Sequence, residues 1–317
     1  MNESIGLIMA AVDRDNSPRE VVTKAVALAR LTGARVELFH CDSERAYSRQ
    51  HQYDPRAAAR ARETCIDESR RFLDSLWGSL EVKDVEASTS VACESPLYEG
   101  IVHAVERDRP DLVVRGSRKQ SHKAVKARGG DHNGGESVAG LDANDWELVR
   151  ACPSPLLLTH GRAWKARPVI AAAVDLSAAE SAELTRTILR TAAAIAHSAR
   201  GDLEIVHAGA FDRAQPQDEP SRRAALAESA RSAGVEVAAI HLIHGDPATV
   251  LPEFALQRDF DLIVLGALTH RKALTALVGT LTGKLIETLD CDCLLVKPPI
   301  ARAARANHGN SRDGGGK

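Results

Sequence analysis

Asp175, His244, Gly266, Gly279 and Thr280 are the residues whose types and spacing could serve a small molecule. Gly266 closes the apolar run Leu262 to Leu265, and a glycine at the end of a buried strand lets the backbone approach a ligand closely. Gly279 and Thr280 open a stretch of helical spacing, where amides at the helix start receive phosphate oxygens and a threonine hydroxyl adds a donor. Asp175 ends the apolar run Val169 to Val174; its carboxylate could accept from a ribose hydroxyl or amino group, or cap the turn that holds Ser177. His244, in the run HGDP, could line the same cleft or sit on a surface turn. Glycine is also what ordinary turn geometry demands, so Gly266 alone does not choose between a binding site and a plain strand end.

The elements that must position these residues occur twice. Ile8 to Asp13 (IMAAVD) recurs as Ile170 to Asp175 (IAAAVD), and Asp111 to Gly116 (DLVVRG) as Asp261 to Gly266 (DLIVLG). Cys152 to Leu158 (CPSPLLL) likewise faces Cys291 to Lys297 (CDCLLVK), so each half carries one copy of one unit. Near-continuous apolar runs predict strands at Leu7–Val12, Val36–Cys41, Val85–Val91 and Leu112–Val114, then at Val169–Val174, Leu203–His207, Val235–Leu242, Leu262–Leu265 and Cys293–Val296. Helical spacing fills the intervals, including Pro55–Leu80, Pro96–Asp108, Ala179–Ser198, Ser221–Ser232, Pro247–Leu256 and Thr280–Leu289. Ser17-Pro18 starts the first helix and Thr32-Gly33 stops it. Buried strands alternating with helices predict an α/β fold: two tandem doubly wound domains, each a parallel sheet with helices on both faces. Residues 1–160 and 168–298 are the two domains, Gly161 to Arg167 is a polar linker apart from Trp164, and 299–317 is a disordered tail.

Composition narrows the function classes. With 41 basic and 43 acidic residues and a formal charge of -2, no general attraction to nucleic acid or to an anionic membrane is expected. No apolar run approaches the roughly 20 residues that cross a bilayer, and the N-terminus lacks the basic start of a signal peptide; a cytoplasmic home is expected. The six cysteines are scattered, which suits free thiols in a reducing compartment. Cys291 and Cys293 lie close together, yet a zinc site needs about four ligands; oxidation sensing stays open beside the structural reading. His241 and His244 point to opposite faces of a strand and share no metal. The basic run of Arg115, Arg118, Lys119, Lys123, Lys126 and Arg128 reads as a solvated loop, and Glu180 and Glu183 read as a solvated helix face. In the first half Asp142 could cap the helix holding Trp146 and Leu148, and its carboxylate would repel phosphate there. No phosphate loop of the glycine-lysine type, serine elbow or HExxH pair occurs, and no catalytic residue is assigned.

The repeated strand ends, the DLVVRG and DLIVLG runs and LVGTLTGKLIETLDCDCLLVKP resemble the universal stress protein family across residues 5 to 298. DWELVRACPSPLLL and the ending CDCLLVKP look like the E-type tandem members of Gram-negative bacteria. The resemblance implies five parallel strands per domain in the order 3-2-1-4-5, with the domains packed through their last strands as an internal pseudo-dimer. It further implies a stress-resistance role without established turnover, as a ligand-binding or interaction module. Two alternatives stand beside that reading: an ATP-binding switch with slow or no hydrolysis, and a purely structural partner protein. Members that bind ATP carry glycine, two residues, glycine, nine residues, then glycine with serine or threonine. Gly266, Gly279 and Thr280 match, Thr269 replaces the second glycine, and Asp175 matches the acidic residue that contacts the nucleoside. In the first half Gly116 is followed by Lys119 and Gly140 by Leu141, which removes the motif. ATP or another small molecule is therefore expected, if anywhere, in the second domain; partners are an unknown small molecule or protein, and a homodimer is possible.

Overall fold

The computed structural model describes residues 5–43, 55–117, 141–177, 180–209, 218–267 and 280–298. Ten strands are formed: β1 (Leu7–Val12), β2 (Arg35–Cys41), β3 (Ala87–Ala92), β4 (Leu112–Gly116) and β5 (Leu156–Thr159), then β6 (Val169–Ala173), β7 (Asp202–Gly209), β8 (Ala239–His244), β9 (Leu262–Gly266) and β10 (Asp292–Val296). The described helices are α1 (Pro18–Thr32), α2 (Pro55–Gly78), α3 (Leu97–Asp108), α4 (Ala143–Ala151), α5 (Ala182–Ser198), α6 (Asp218–Ala233), α7 (Pro247–Arg258) and α8 (Thr280–Thr288).

Within each half the strand order is the expected 3-2-1-4-5, with every pairing parallel. The five strands expected for each domain are not a discrete sheet: the halves meet through their last strands, as the resemblance implied, and the order runs β3-β2-β1-β4-β5-β10-β9-β6-β7-β8 through one sheet, with β5 and β10 antiparallel at its centre. The reason lies in the two last strands. LLLT and DCLLV are buried along their whole length, and an apolar edge left unpaired would leave a row of N–H and C=O groups without partners. Each strand is the other's solution.

Side chains alternate across the sheet, so each strand feeds two helix layers. Ile8, Ala10 and Val12 of β1 join Leu157 and Leu294 under α1, α2, α5 and α6. Met9 and Ala11 join Leu158, Cys293 and Leu295 under α3, α4, α7 and α8. Both cores cross the β5–β10 junction without a break.

Local signals explain most boundaries. Pro18 occupies the first turn of α1, and Gly33, at a φ of 73°, ends it by donating to Ala29 O. Ser17 offers no side-chain cap to α1. The strand expected from Val235 begins only at Ala239, because Gly234 (φ 71°) and Val235 close α6, with Val235 N–H donating to Ala230 O. The helix expected from Ala179 begins at Ala182, after Ser181 accepts from Leu184 N–H. Asp111 and Asp261 play matching parts. Asp111 accepts from the amides of Gly6 and Leu7, and Asp261 from those of Lys165 and Val169, so each closes the entrance to the first strand of its half.

The expected linker is held rather than free. Trp164 donates to Asp292, Arg162 O accepts from Lys24, and Arg162 and Lys165 both pair with Asp259. The tail assigned to 299–317 lies outside the described residues.

Candidate functional site

Strand order reverses between β1 and β4 and again between β6 and β9, and in such sheets ligands bind beyond the carboxyl ends of the strands at that reversal. Asp13 and Gly116 stand at the first crevice, Asp175 and Gly266 at the second, because the parallel registers Ala10–Val114 and Ala172–Val264 bring the strand ends side by side. Equal positions have been filled differently.

In the first half Arg115, 1% exposed, points inward from β4. Its Nε donates to Asp145 Oδ1 at 3.1 Å and its Nη2 to Asp13 Oδ2 at 3.3 Å. The reading of Arg115 as part of a solvated basic loop is thus corrected: it is a strand residue, and an isolated buried guanidinium would be prohibitive without its carboxylates. The rest of that basic run, Arg118 to Arg128, lies outside the described residues, as do Lys119 and Gly140. Burial raises the Asp145 pKa, and Arg115 opposes that rise. Asp142 does cap α4, accepting from Asp145 N–H at 2.8 Å. Asn16 closes the floor, its Nδ2 donating to Gly116 O at 2.9 Å.

In the second half the counterpart of Arg115 is Leu265, an apolar residue. Asp175 is exposed. One carboxylate oxygen accepts from Ser177 N–H at 2.8 Å and the other from Ser177 Oγ at 2.6 Å, so the capping alternative for this residue is realised. Glu180 is corrected from the solvated helix face: it precedes α5 and turns inward, where Oε1 accepts from Thr185 Oγ1 at 2.8 Å and from Asp175 N–H at 3.3 Å. Burial pushes its pKa up to about 7, with the nearby Asp175 charge adding to the rise and the two hydrogen bonds opposing it.

Gly266 has a packing reason to lack a side chain. A Cβ built there would meet Leu184 Cδ2 at 2.8 Å, so α5 lies directly on the strand end. Gly266 O accepts from Thr282 Oγ1 at 3.1 Å. Thr280 begins α8, whereas Thr269 and Gly279 lie outside the described residues. His244 ends β8, separated from β6 by β7, which places its backbone about 10 Å from the Asp175 turn. The structure thus brings Asp175 and Gly266 together and sets His244 to the side.

Two features escaped the sequence reading. His40 and His207 stand at matching positions in β2 and β7, and each donates from Nδ1 at 2.9 Å to a valine carbonyl, Val12 O at the end of β1 and Val174 O just beyond β6. Burial lowers both pKa values, so these imidazoles are neutral supports behind the aspartate turns. The repeat itself held the signal, since VELFH and LEIVH align once β1 and β6 are superposed. Glu204 is buried and shared between His241 and Arg258. Cys291 and Cys293 are both buried thiols outside any disulfide. Among the described residues no group of three potential ligands could hold a metal ion, and no helix is long and apolar enough to cross a membrane.

Comparison with known proteins extends this picture over most of the chain. "Universal stress protein E" of Photorhabdus laumondii is 22% identical over 309 residues, covering 92% of this chain and 94% of its own. The Escherichia coli K12 protein of the same name is 21% identical over 313 residues, with 92% and 93% covered. A crystal structure of a putative universal stress protein from Pseudomonas aeruginosa superposes with a TM-score of 0.68 at 22% identity, covering 93% of this chain and 94% of that one. The sequence profile described as the Universal stress protein family matches residues 5–160 and 167–297, one match for each half of the sheet. With its two copies of the 3-2-1-4-5 strand order, the chain belongs to the universal stress protein family.

Proposed function

We propose that the chain is a cytoplasmic, stress-associated binding module without turnover, whose small-molecule cleft is the carboxyl end of β6 and β9. The observation that carries this reading is the contrast at one position: Arg115 fills the first crevice with a buried ion pair, whereas apolar Leu265 stands at the matching position of the second half and Asp175 is exposed there. Asp175, Gly266 and the start of α8 at Thr280 frame the cleft, with Thr269 and Gly279 assigned to its phosphate side and His244 to its outer wall. A nucleotide such as ATP, or a more apolar metabolite, suits a site with one exposed carboxylate and a glycine strand end. Native mass spectrometry of freshly purified protein tests it. A bound small molecule that is lost in Asp175→Ala and kept in Asp13→Ala supports the cleft; a bare chain in every preparation overturns it.

The ATP-switch version of this reading requires micromolar binding by calorimetry that falls when Gly279 is replaced by leucine, and the absence of heat at millimolar ATP removes it. The packing of Leu184 against Gly266 favours a second reading, in which the cleft is filled by the protein's own side chains and the chain serves as a structural interaction module.

A further inference from the structure

The two strands at the centre of the sheet are near copies. The registers of β4 with β5 and of β9 with β10 make Leu156, Leu157 and Leu158 the counterparts of Cys293, Leu294 and Leu295. Leu157 faces Leu294 across the junction, which therefore has a local two-fold axis. Two matching apolar edges carry no instruction about partner choice: two second halves from different chains could pair through β10 alone, using the same kind of backbone bonds.

Asp292 breaks that tie. Its counterpart in β5 is Pro155. Its carboxylate is buried at 1% exposure and accepts from Lys24 Nζ at 2.7 Å, Trp164 Nε1 at 2.8 Å, and Thr159 Oγ1 and His160 N–H at 3.0 Å. Every one of those donors belongs to the first half or to the segment that follows it. Lys24, itself buried, also lies 4.8 Å from the centre of the Trp164 ring. In a β10–β10 pairing about the same axis, Val296 would take the place of Thr159, and neither Lys24 nor Trp164 would be present. Lys297 would not substitute. It leaves the strand one residue beyond Val296, on the other side of the sheet, where its Nζ donates to Arg150 O and Cys152 O at 2.7 Å. A β5–β5 pairing would in turn bury the Lys24 ammonium without its carboxylate. Either error leaves a charge desolvated and uncompensated, which is strongly unfavourable.

We propose that Asp292 and Lys24 form a recognition pair that restricts the β10 edge to a first half and excludes pairing between like halves. The apolar strands supply the adhesion, and the buried ion pair supplies the choice of partner.

The test uses full-length protein carrying Leu294→Cys, because position 294 sits on the axis and meets itself only in a β10–β10 pairing. Chains are unfolded in urea, refolded together at high concentration under mild oxidation, and analysed for disulfide-linked dimers joined through position 294 by mass spectrometry. With Asp292 and Lys24 intact the dimer stays at background. Adding Lys24→Met with Asp292→Leu, which removes both charges together, should raise it roughly tenfold. Asp292→Asn, close in shape and neutral, forms a second arm and should give a smaller rise. Should the double variant fail to fold, the Asn arm decides. Folded variants that give no more of this dimer than the parent chain overturn the proposal.

Discussion

The first and second crevices of this protein share a backbone and differ in where their charge is kept. At the end of β1 and β4, Asp13 and Asp145 hold Arg115 between them, and the guanidinium ties β1, β4 and α4 together. At the end of β6 and β9, Asp175 is held by its own turn through Ser177, and the inward carboxyl is Glu180, which binds the start of α5 through Thr185 instead of binding a cation. Duplication thus supplied two equal frames, and single side chains then committed one to internal cohesion while leaving the other's aspartate exposed.

The largest expected effect comes from making the first crevice like the second. Arg115→Leu copies Leu265 and leaves Asp145 buried without its cation, which should cost about 3–5 kcal/mol in urea unfolding. Combining it with Asp145→Leu should recover most of that loss, because the pair is then removed together. A single variant as stable as the parent would erase the contrast.

Glu180 offers a pH readout confined to the second crevice. Its folded pKa is raised from 4.5 to about 7, so the folded state binds its proton more tightly than the unfolded chain does. The resulting stability is fully present below pH 4.5 and is lost as pH rises through about 7. Glu180→Gln should flatten that part of the stability profile, by no more than about 3 kcal/mol across the window. A variant whose profile still parallels the parent's would show that the raised affinity resides elsewhere.

The smallest effects belong to the two glycines. A methyl at Gly116 would stand 3.1 Å from Asn16 O and from Val21 Cγ2, where backbone must yield; the nearest atom to one at Gly266 is the flexible end of Leu184, Cδ2 at 2.8 Å. Gly116→Ala should cost about 2 kcal/mol and Gly266→Ala about 1 kcal/mol, measured side by side by thermal unfolding. The reverse order would mean that α5 is the stiffer of the two covers.

Much of the architecture was legible because apolar periodicity and repetition are local. Leu7–Val12 and Leu262–Leu265 read as buried strands at once, and Gly33 ended its helix where a left-handed cap was needed. Val235 misled for a local reason too: it is β-branched, yet its amide was required to close α6. The site was harder to read. Arg115 adjoins a basic run in sequence and looked like solvent-facing charge, while its partners Asp13 and Asp145 are 102 and 30 residues away. Glu180 looked like the outer face of a helix because its inward turn depends on a hydrogen bond from Thr185 and on the packing of α5.

The sequence by itself determined that one α/β unit is present twice, since hydrophobic period and repeated strand ends need no knowledge of what touches what. Only the tertiary structure decided that the two units share one sheet, that Asp292 is held by Lys24 of the other half, and that Asp13 is paired with a buried guanidinium while its counterpart Asp175 is exposed. The physical reason is that the fate of a charge depends on the dielectric and the donors around it. Those are supplied by residues distant in the chain, whereas the alternation of apolar residues that builds a strand is written within a few neighbouring positions.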